Sequence, residues 1–261
     1  MVDRDHLQAA EEERAMLRGI RALYGCRILA EDGDIGKVDD FFFDDDTWTV
    51  RYLVADTGHW LPGRKVLIST AALGRPDPES GEFPVALTGE QVRNSPDIDT
   101  DMPVSRQDQI ELHAYYGWPA YWTFGGYYNV LPPPGDGEEE KEISRAEQSD
   151  PHLRSAKEVS GYHIQGNDGE IGHVEDFIVE DESWIIRYAQ VDTRNWLPGK
   201  RVLIPRQWIT EISWTERLVY VELTTDEIRD SPGYDPSEPV SREYEIKLYE
   251  HYGRPRYRQE H

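Results

Sequence analysis

One arginine, one aspartate and one tryptophan recur with the same spacing at two places in the chain. These residues are Arg51, Asp56 and Trp60 in the first place, and Arg187, Asp192 and Trp196 in the second. Guanidinium and carboxylate groups can anchor a polar ligand, and an indole can stack on one. An odd separation puts each arginine and its aspartate on opposite faces of an ideal strand. We therefore expect these residues either to contact a partner or ligand, or to form structural ion pairs with other acids and core contacts.

Other patterns that could carry chemistry are incomplete. The acidic stretch "DGDIGKVDDFFFDDD" lacks the ligand spacing of an EF-hand, and the histidines show no HExxH or paired Cys/His spacing. Ser105 and Ser241 recur at one aligned position, but neither has a nucleophile elbow around it. The glycines of "TFGGYY" precede no Lys-Ser/Thr pair that could cradle phosphate. The sequence thus predicts no catalytic residue, no cofactor and no metal, so we expect a non-enzymatic protein.

The elements that would position these residues read mainly as β-strands. In "TWTVRYLVAD", Trp48, Val50, Tyr52 and Val54 share one face, which is typical of a half-buried strand. Asp-Gly pairs at Asp32 and Asp168 favour tight hairpin turns. Five or six short strands between such turns predict a small antiparallel barrel.

Helices are predicted at the end of each half of the chain. Thr88 and Gln91 have the spacing of a capping box, as do Thr224 and Glu227. Second helices should begin at Ser105 and Ser241 and end at glycines. Residues 5–18 are predicted to form a further, N-terminal helix.

The chain contains one long internal repeat. Shifting the sequence by 136 residues aligns 17–122 with 153–258 without a gap, and 41 of the 106 positions are identical. A period of this length predicts two domains rather than a solenoid. The resulting organisation is an N-terminal segment (1–16), domain 1 (17–122), an aromatic then proline-rich acidic linker (123–152) and domain 2 (153–258).

The aromatic residues differ between the two copies. The stretch "AYYGWPAYWTFGGYY", residues 114–128, holds eight aromatic residues, whereas the second copy is basic in this region. Aromatic rings this dense either form an exposed binding patch or pack against a barrel, and we expect packing.

Composition restricts the environment and the partners. The formal net charge of −23 disfavours nucleic acid and anionic lipid as partners. No apolar run is long enough to span a membrane, and the N-terminus does not resemble a signal peptide. The single cysteine, Cys26, fits a reducing compartment. We expect a cytoplasmic protein without an integral membrane segment.

The repeated motif resembles a known family. "DGDIGKVDDFFFDDDTWTVRYLVADTGHWLPGRKVLI" and its second copy, "DGEIGHVEDFIVEDESWIIRYAQVDTRNWLPGKRVLI", are similar to the PRC-barrel domain. That family is typified by the cytoplasmic part of the photosynthetic reaction-centre H subunit, and it includes the C-terminal domain of a ribosome maturation factor. The resemblance implies that each repeat is a six-stranded barrel that serves protein interaction or assembly. With the predicted helices, the expected fold is two tandem small antiparallel barrels, each with a C-terminal helical appendage.

The resemblance also leaves the role open between several partners. The closer likeness is to free-standing bacterial PRC-barrel proteins, some of them associated with stress, which implies an adaptor with protein partners. The alternatives are an accessory factor of the photosynthetic or electron-transport apparatus, or a ribosome-maturation factor that binds a ribosomal protein. We also expect the two barrels to form an intramolecular pseudo-dimer.

Overall fold

The computed structural model describes residues 16–58, 60–77, 80–100, 104–122, 152–193 and 199–254. The fold of this part of the chain is mainly β with short helices, as predicted. Most of the predicted N-terminal helix, residues 5–15, lies outside the described residues. Its last two residues contradict the prediction, because Leu17 and Arg18 belong to a strand.

The order of the strands follows the repeat. In each copy, one three-residue strand comes before a hairpin that is formed by the next two strands. The first copy contains β1 (Leu17–Gly19), β2 (Arg27–Ala30), β3 (Gly33–Asp44), β4 (Thr49–Asp56), β5 (Lys65–Ser69) and β6 (Glu82–Pro84). The second copy contains β7 (Leu153–Ser155), β8 (His163–Gln165), β9 (Glu170–Glu180), β10 (Ile186–Asp192), β11 (Arg201–Pro205), β12 (Ile209–Ser213) and β13 (Leu218–Val221).

The described helices are all short. They are α1 (Gly89–Arg93), α2 (Arg106–Tyr116), α3 (Ala156–Val159), α4 (Thr225–Asp230) and α5 (Arg242–His251). Turns of 3₁₀ helix cover Ile20–Leu23, Thr70–Ala72 and Arg206–Trp208. The predicted capping boxes at Thr88 and Thr224 are present, since each hydroxyl accepts a backbone N–H three residues on.

The chain divides into two units that differ from the sequence repeats in three segments. Unit 1 comprises Met1–Ala22, Asp45–Val50 and Arg154–His261, and unit 2 comprises Leu23–Asp44 and Arg51–Leu153. Unit 1 therefore contains the first strand of the first repeat and that repeat's β3–β4 turn. Unit 2 contains Leu153, the first residue of the second repeat's β7.

The two sheets have equivalent strand orders. In unit 1 the order is β11-β10-β9-β8-β13-β12, with β1 added on β9; in unit 2 it is β5-β4-β3-β2-β6, and β7 pairs with β3. Most neighbours are antiparallel, as predicted, but β2–β6 and β8–β13 are parallel. Several strands intervene between the partners of each parallel pair, which gives the chain the long connection that parallel pairing requires.

Each unit has a core between its sheet and its last helix. In unit 1, Leu248 of α5 packs on Ile178, Tyr188 and Leu203 of the sheet. In unit 2, Leu112 of α2 occupies the equivalent position in its own cluster. These helices therefore cover one face of the sheet in their own unit.

The aromatic tail of the first copy packs as predicted, as far as it is described. Tyr116, Trp118 and Tyr121 lie against the unit 2 core. Beneath them His113 is buried; its Nε2 lies 2.8 Å from the Tyr52 hydroxyl and its Nδ1 lies 2.9 Å from the Pro119 carbonyl oxygen. Burial lowers the pKa of His113. This side chain thus acts as a neutral core residue that ties α2 to the sheet.

Candidate interaction site

The repeated arginines lie in ion pairs with acids at the end of the preceding strand. Arg51 lies 3.5 Å from the Asp44 carboxylate and stacks 4.1 Å over the Tyr121 ring. Arg187 lies 2.8 Å from the Glu180 carboxylate. These pairs correspond to the structural alternative that the sequence predicts.

The repeated aspartates do not join those arginines. Asp56 is exposed, and its Oδ1 accepts the backbone N–H of Gly58 at 2.8 Å. Asp192 is buried and lies opposite Arg201 in the pairing of β10 with β11. Its negative charge favours the positive charge of the Arg201 guanidinium. The structure therefore places both aspartates in local roles and does not gather them with the arginines into one site.

Only one of the two predicted tryptophans is among the described residues. Trp60 is half-buried, and the Arg93 guanidinium lies 5.2 Å from its ring centroid. Trp196 lies outside the described residues. Among the described residues of the predicted contact set, Trp60 thus presents a partly accessible aromatic ring.

An interaction that the sequence did not indicate occurs where β1 docks on unit 1. Leu17 pairs with Glu180, Arg18 with Val179 and Gly19 with Ile178. The opposite side of this part of β9 pairs with β10. Strand β1 therefore occupies a sheet edge that would otherwise expose backbone hydrogen-bonding groups.

A buried carboxylate holds the beginning of the docked strand. Asp181 is 5% exposed; its Oδ1 accepts the backbone N–H of Met16 at 2.8 Å, and its Oδ2 accepts Arg18 Nε at 2.9 Å. The Asp181 N–H donates in turn to the Met16 carbonyl at 3.0 Å. Hydrogen bonds to charged groups stabilise more than neutral ones. Asp181 therefore fixes the register of the docked strand and balances the positive charge of Arg18.

A second buried carboxylate lies at the other end of the strand. Asp176 Oδ1 accepts the backbone N–H groups of Arg21 at 3.0 Å and Phe177 at 2.8 Å. A Cβ added at Gly19 would lie 2.5 Å from Asp176 Oδ2, so only glycine lets β1 approach without a shift of that side chain. Burial raises the pKa of Asp176 to about 6.

The same features recur at the start of the second repeat. Arg154 Nε donates to Asp45 Oδ2 at 2.7 Å, and both residues belong to unit 1. Leu153 packs against the unit 2 core, as Leu17 packs against the unit 1 core. Each repeat therefore supplies a Leu-Arg strand, and each Leu-Arg strand meets an aspartate of the other repeat.

A reciprocal hydrogen-bond pair in unit 1 joins equivalent residues of the repeats. The N–H of Val50 donates to the Trp184 carbonyl at 2.8 Å, and the N–H of Ile186 donates to the Trp48 carbonyl at 2.7 Å. Both tryptophans have positive φ, 56° and 57°, a strained conformation for a large side chain. The two turns of unit 1 are thus joined by a symmetric pair of backbone hydrogen bonds.

The sequence contained a signal for these contacts that residue chemistry did not reveal. Leu-Arg is identical at the start of both repeats, and the aspartates at 40, 45, 176 and 181 are identical between them. The acidic stretch that contains Asp40 and Asp45 has residue types suited to calcium, but the sequence predicts no metal there because the EF-hand spacing is absent. In the described ranges, no group of three or more His, Cys, Asp or Glu side chains is placed to share a metal ion.

These features define the class of protein. Two short-stranded sheets of equivalent order, each capped by a C-terminal helix, form a tandem of small barrel domains. The PRC-barrel domain family model matches residues 17–85 and 152–228, and the chain belongs to that family. No curated protein matches the chain. No helix among the described residues is long and apolar enough to cross a membrane.

Proposed function

We propose that this protein is a non-enzymatic adaptor, a cytosolic module for protein interaction or assembly. The observation that carries the proposal is the docking of β1, a segment of one repeat that completes the sheet of the other repeat. Strand addition of this kind is a general mode of protein recognition, in which backbone hydrogen bonds give affinity and neighbouring side chains give specificity. The repeat fold thus supplies a site suited to binding extended segments of polypeptide.

The contacts of the predicted site residues support a non-catalytic role. Arg51 and Arg187 are committed to ion pairs at partly buried positions. Asp56 stabilises a turn, and Asp192 is buried among sheet residues. These contacts use the repeated polar groups to maintain the fold, which is what an adaptor built on a rigid scaffold requires.

Paired contacts within unit 1 join equivalent residues of the two repeats. The Arg18–Asp181 and Arg154–Asp45 ion pairs are equivalent under the repeat, and the bonds around Trp48 and Trp184 are reciprocal. Homodimers of single domains use such self-complementary contacts. Duplication of one barrel gene then gives one chain that contains both halves.

Affinity purification with the whole chain as bait tests the adaptor proposal. The proposal expects at least one protein to be recovered reproducibly from a lysate of the native organism by mass spectrometry. A partner from a membrane electron-transport complex would favour the accessory-factor role, and a ribosomal protein would favour the maturation role. Recovery of no specific protein would contradict the proposal.

Two tryptophan variants locate the contact. We expect Trp60→Ala to lower partner recovery, since this ring is half-buried beside Arg93. Trp214→Ala is the matched control, because Trp214 is 39% exposed in a loop that differs between the repeats. Both variants should keep the wild-type melting temperature. Equal recovery with both variants would place the contact away from Trp60.

A further inference from the structure

The docking site for β1 recognises a short and self-contained segment. Its contacts are the backbone pairing of Leu17–Gly19 with β9, the Asp181 bonds to Met16 and Arg18, and the Asp176 bond to Arg21. All of these contacts come from the six residues 16–21. A second copy of the same segment would make the same contacts, whatever chain carried it.

The equivalent segment of the second repeat pairs with β3 instead, and it shares part of the same pattern. That segment begins Leu153-Arg154-Ser155, and its arginine already pairs with Asp45, the residue equivalent to Asp181. Gly19 follows the arginine in the first segment and Ser155 in the second, so the Cβ of the second segment would require the Asp176 side chain to shift. A Leu-Arg pair and an aspartate that binds its arginine thus occur twice in each molecule, whereas the glycine that fits beside Asp176 occurs only in the first segment.

The chain passes from one unit to the other directly after the docked segment. Ala22 is the last residue of this part of unit 1 and Leu23 is the first of unit 2. Gly25, which follows the 3₁₀ turn, has a φ of 78°, and a Cβ there would meet no atom within 4 Å. A change of backbone direction at residues 23–25 would redirect the segment without disturbing its own contacts.

From these observations we propose that two copies of this chain associate by exchanging residues 16–21. The segment of one copy adds to β9 of the other, and Arg18 of one copy pairs with Asp181 of the other. Exchange of an identical element is a low-cost route to dimers, because the contacts of the closed form are kept. This inference rests on the proposed assembly function and names one partner for it, a second copy of the chain.

Charge reversal separates exchange between copies from docking within one copy. Arg18→Asp places two carboxylates at the site of its own chain, and Asp181→Arg places two guanidinium groups there. When the two variants are unfolded together and refolded as a mixture, an exchanged heterodimer matches both sites. We expect a species of twice the 30.2 kDa chain mass by light scattering, at least tenfold more abundant than in either variant refolded alone.

Two controls interpret this result. The double variant Arg18→Asp/Asp181→Arg restores the pair both within one chain and between copies, so it should refold with the melting temperature and the monomer-to-dimer ratio of the wild type. The exposed pair Arg229→Asp and Asp226→Arg, mixed in the same way, should give no heterodimer. A mixture that stays monomeric, or stays unfolded, while the double variant folds would overturn the proposal.

Cysteine trapping provides a second measurement that does not require the reversed charges to be tolerated. Arg18 and Val179 are direct partners across the strands, a placement suited to a disulfide. In a Cys26→Ser background, Arg18→Cys and Val179→Cys on separate chains should form a crosslinked heterodimer after co-refolding. Arg18→Cys with the exposed Glu216→Cys is the control. An intrachain disulfide in the double-cysteine chain, without any heterodimer in the mixture, would refute exchange but leave lysate partners unaffected.

Discussion

Protonation of Asp176 should change the stability of unit 1 in a defined pH range. Its carboxylate is 8% exposed and accepts two backbone N–H groups through Oδ1, while Oδ2 faces Gly19. Burial raises its pKa from 3.8 to about 6; the positive charge of Arg21 opposes this shift, and the negative charge of Glu175 adds to it. One pKa unit corresponds to 1.36 kcal/mol, so ionising the folded protein costs about 3 kcal/mol.

The sign follows from the direction of the shift. The folded state binds the Asp176 proton more tightly than the unfolded state does, so folding is favoured at low pH and weakened as the pH rises from about 4 to about 6. Asp176→Asn keeps an oxygen that can accept the two N–H groups but carries no charge at any pH. Relative to the wild type, this variant should be similarly stable at pH 4 and more stable by about 3 kcal/mol at pH 8.

Urea unfolding at a series of pH values measures this difference. Because other carboxylates titrate in both proteins, the difference between variant and wild type isolates Asp176. Asp226→Asn is a suitable control, since the Asp226 side chain is 72% exposed and the substitution breaks only a surface ion pair with Arg229. A difference that stays constant between pH 4 and pH 8, or that falls as the pH rises, would refute this account of the buried carboxylate.

Three further predictions concern the scaffold. Gly172→Ala should destabilise the protein by about 2 kcal/mol or more in urea unfolding, because its Cβ would lie 2.2 Å from the Asp192 carbonyl oxygen at a φ of +152°. Gly169→Ala, where the nearest atom lies at 3.5 Å, should cost much less, and equal losses would contradict the explanation. Leu248→Ala should cost about 2–5 kcal/mol by leaving a cavity between α5 and the sheet, whereas Leu248→Met should cost under about 1.5 kcal/mol. Thr224→Ala should lose about 1 kcal/mol with the α4 cap, and Thr224→Ser should retain most of it, as thermal denaturation can show.

Local sequence patterns predicted most of the elements correctly. Val50, Tyr52 and Val54 are buried as their alternation predicts, but Leu53 and Ala55 on the opposite face are buried too, so the strand is not half-buried. The capping residues mark where the helices begin. These features depend on near neighbours in the chain, so the sequence contains them directly. The family resemblance, confirmed by the family model, added the domain type.

Pairings between distant residues could not be predicted in the same way. The residues before β1 favour a helix, yet Leu17 and Arg18 join a sheet whose partner strand lies about 160 residues away, since tertiary contacts override local propensity. Sequence also could not assign Leu-Arg segments to sheets, because the two segments are identical at those positions and either sheet offers an aspartate. Similarly, Arg51 has acids on both sides in sequence, and only the fold selects Asp44.

The docking of β1 also determines how the molecule behaves when its backbone is cut. A break within residues 123–151 would give an N-terminal fragment that carries the strand needed by β9, and a C-terminal fragment that carries the strand needed by β3. Each fragment would lack a piece that only the other can supply. Such a chain has the design of a split protein, in which two separately produced pieces reconstitute the native sheets only when they are combined.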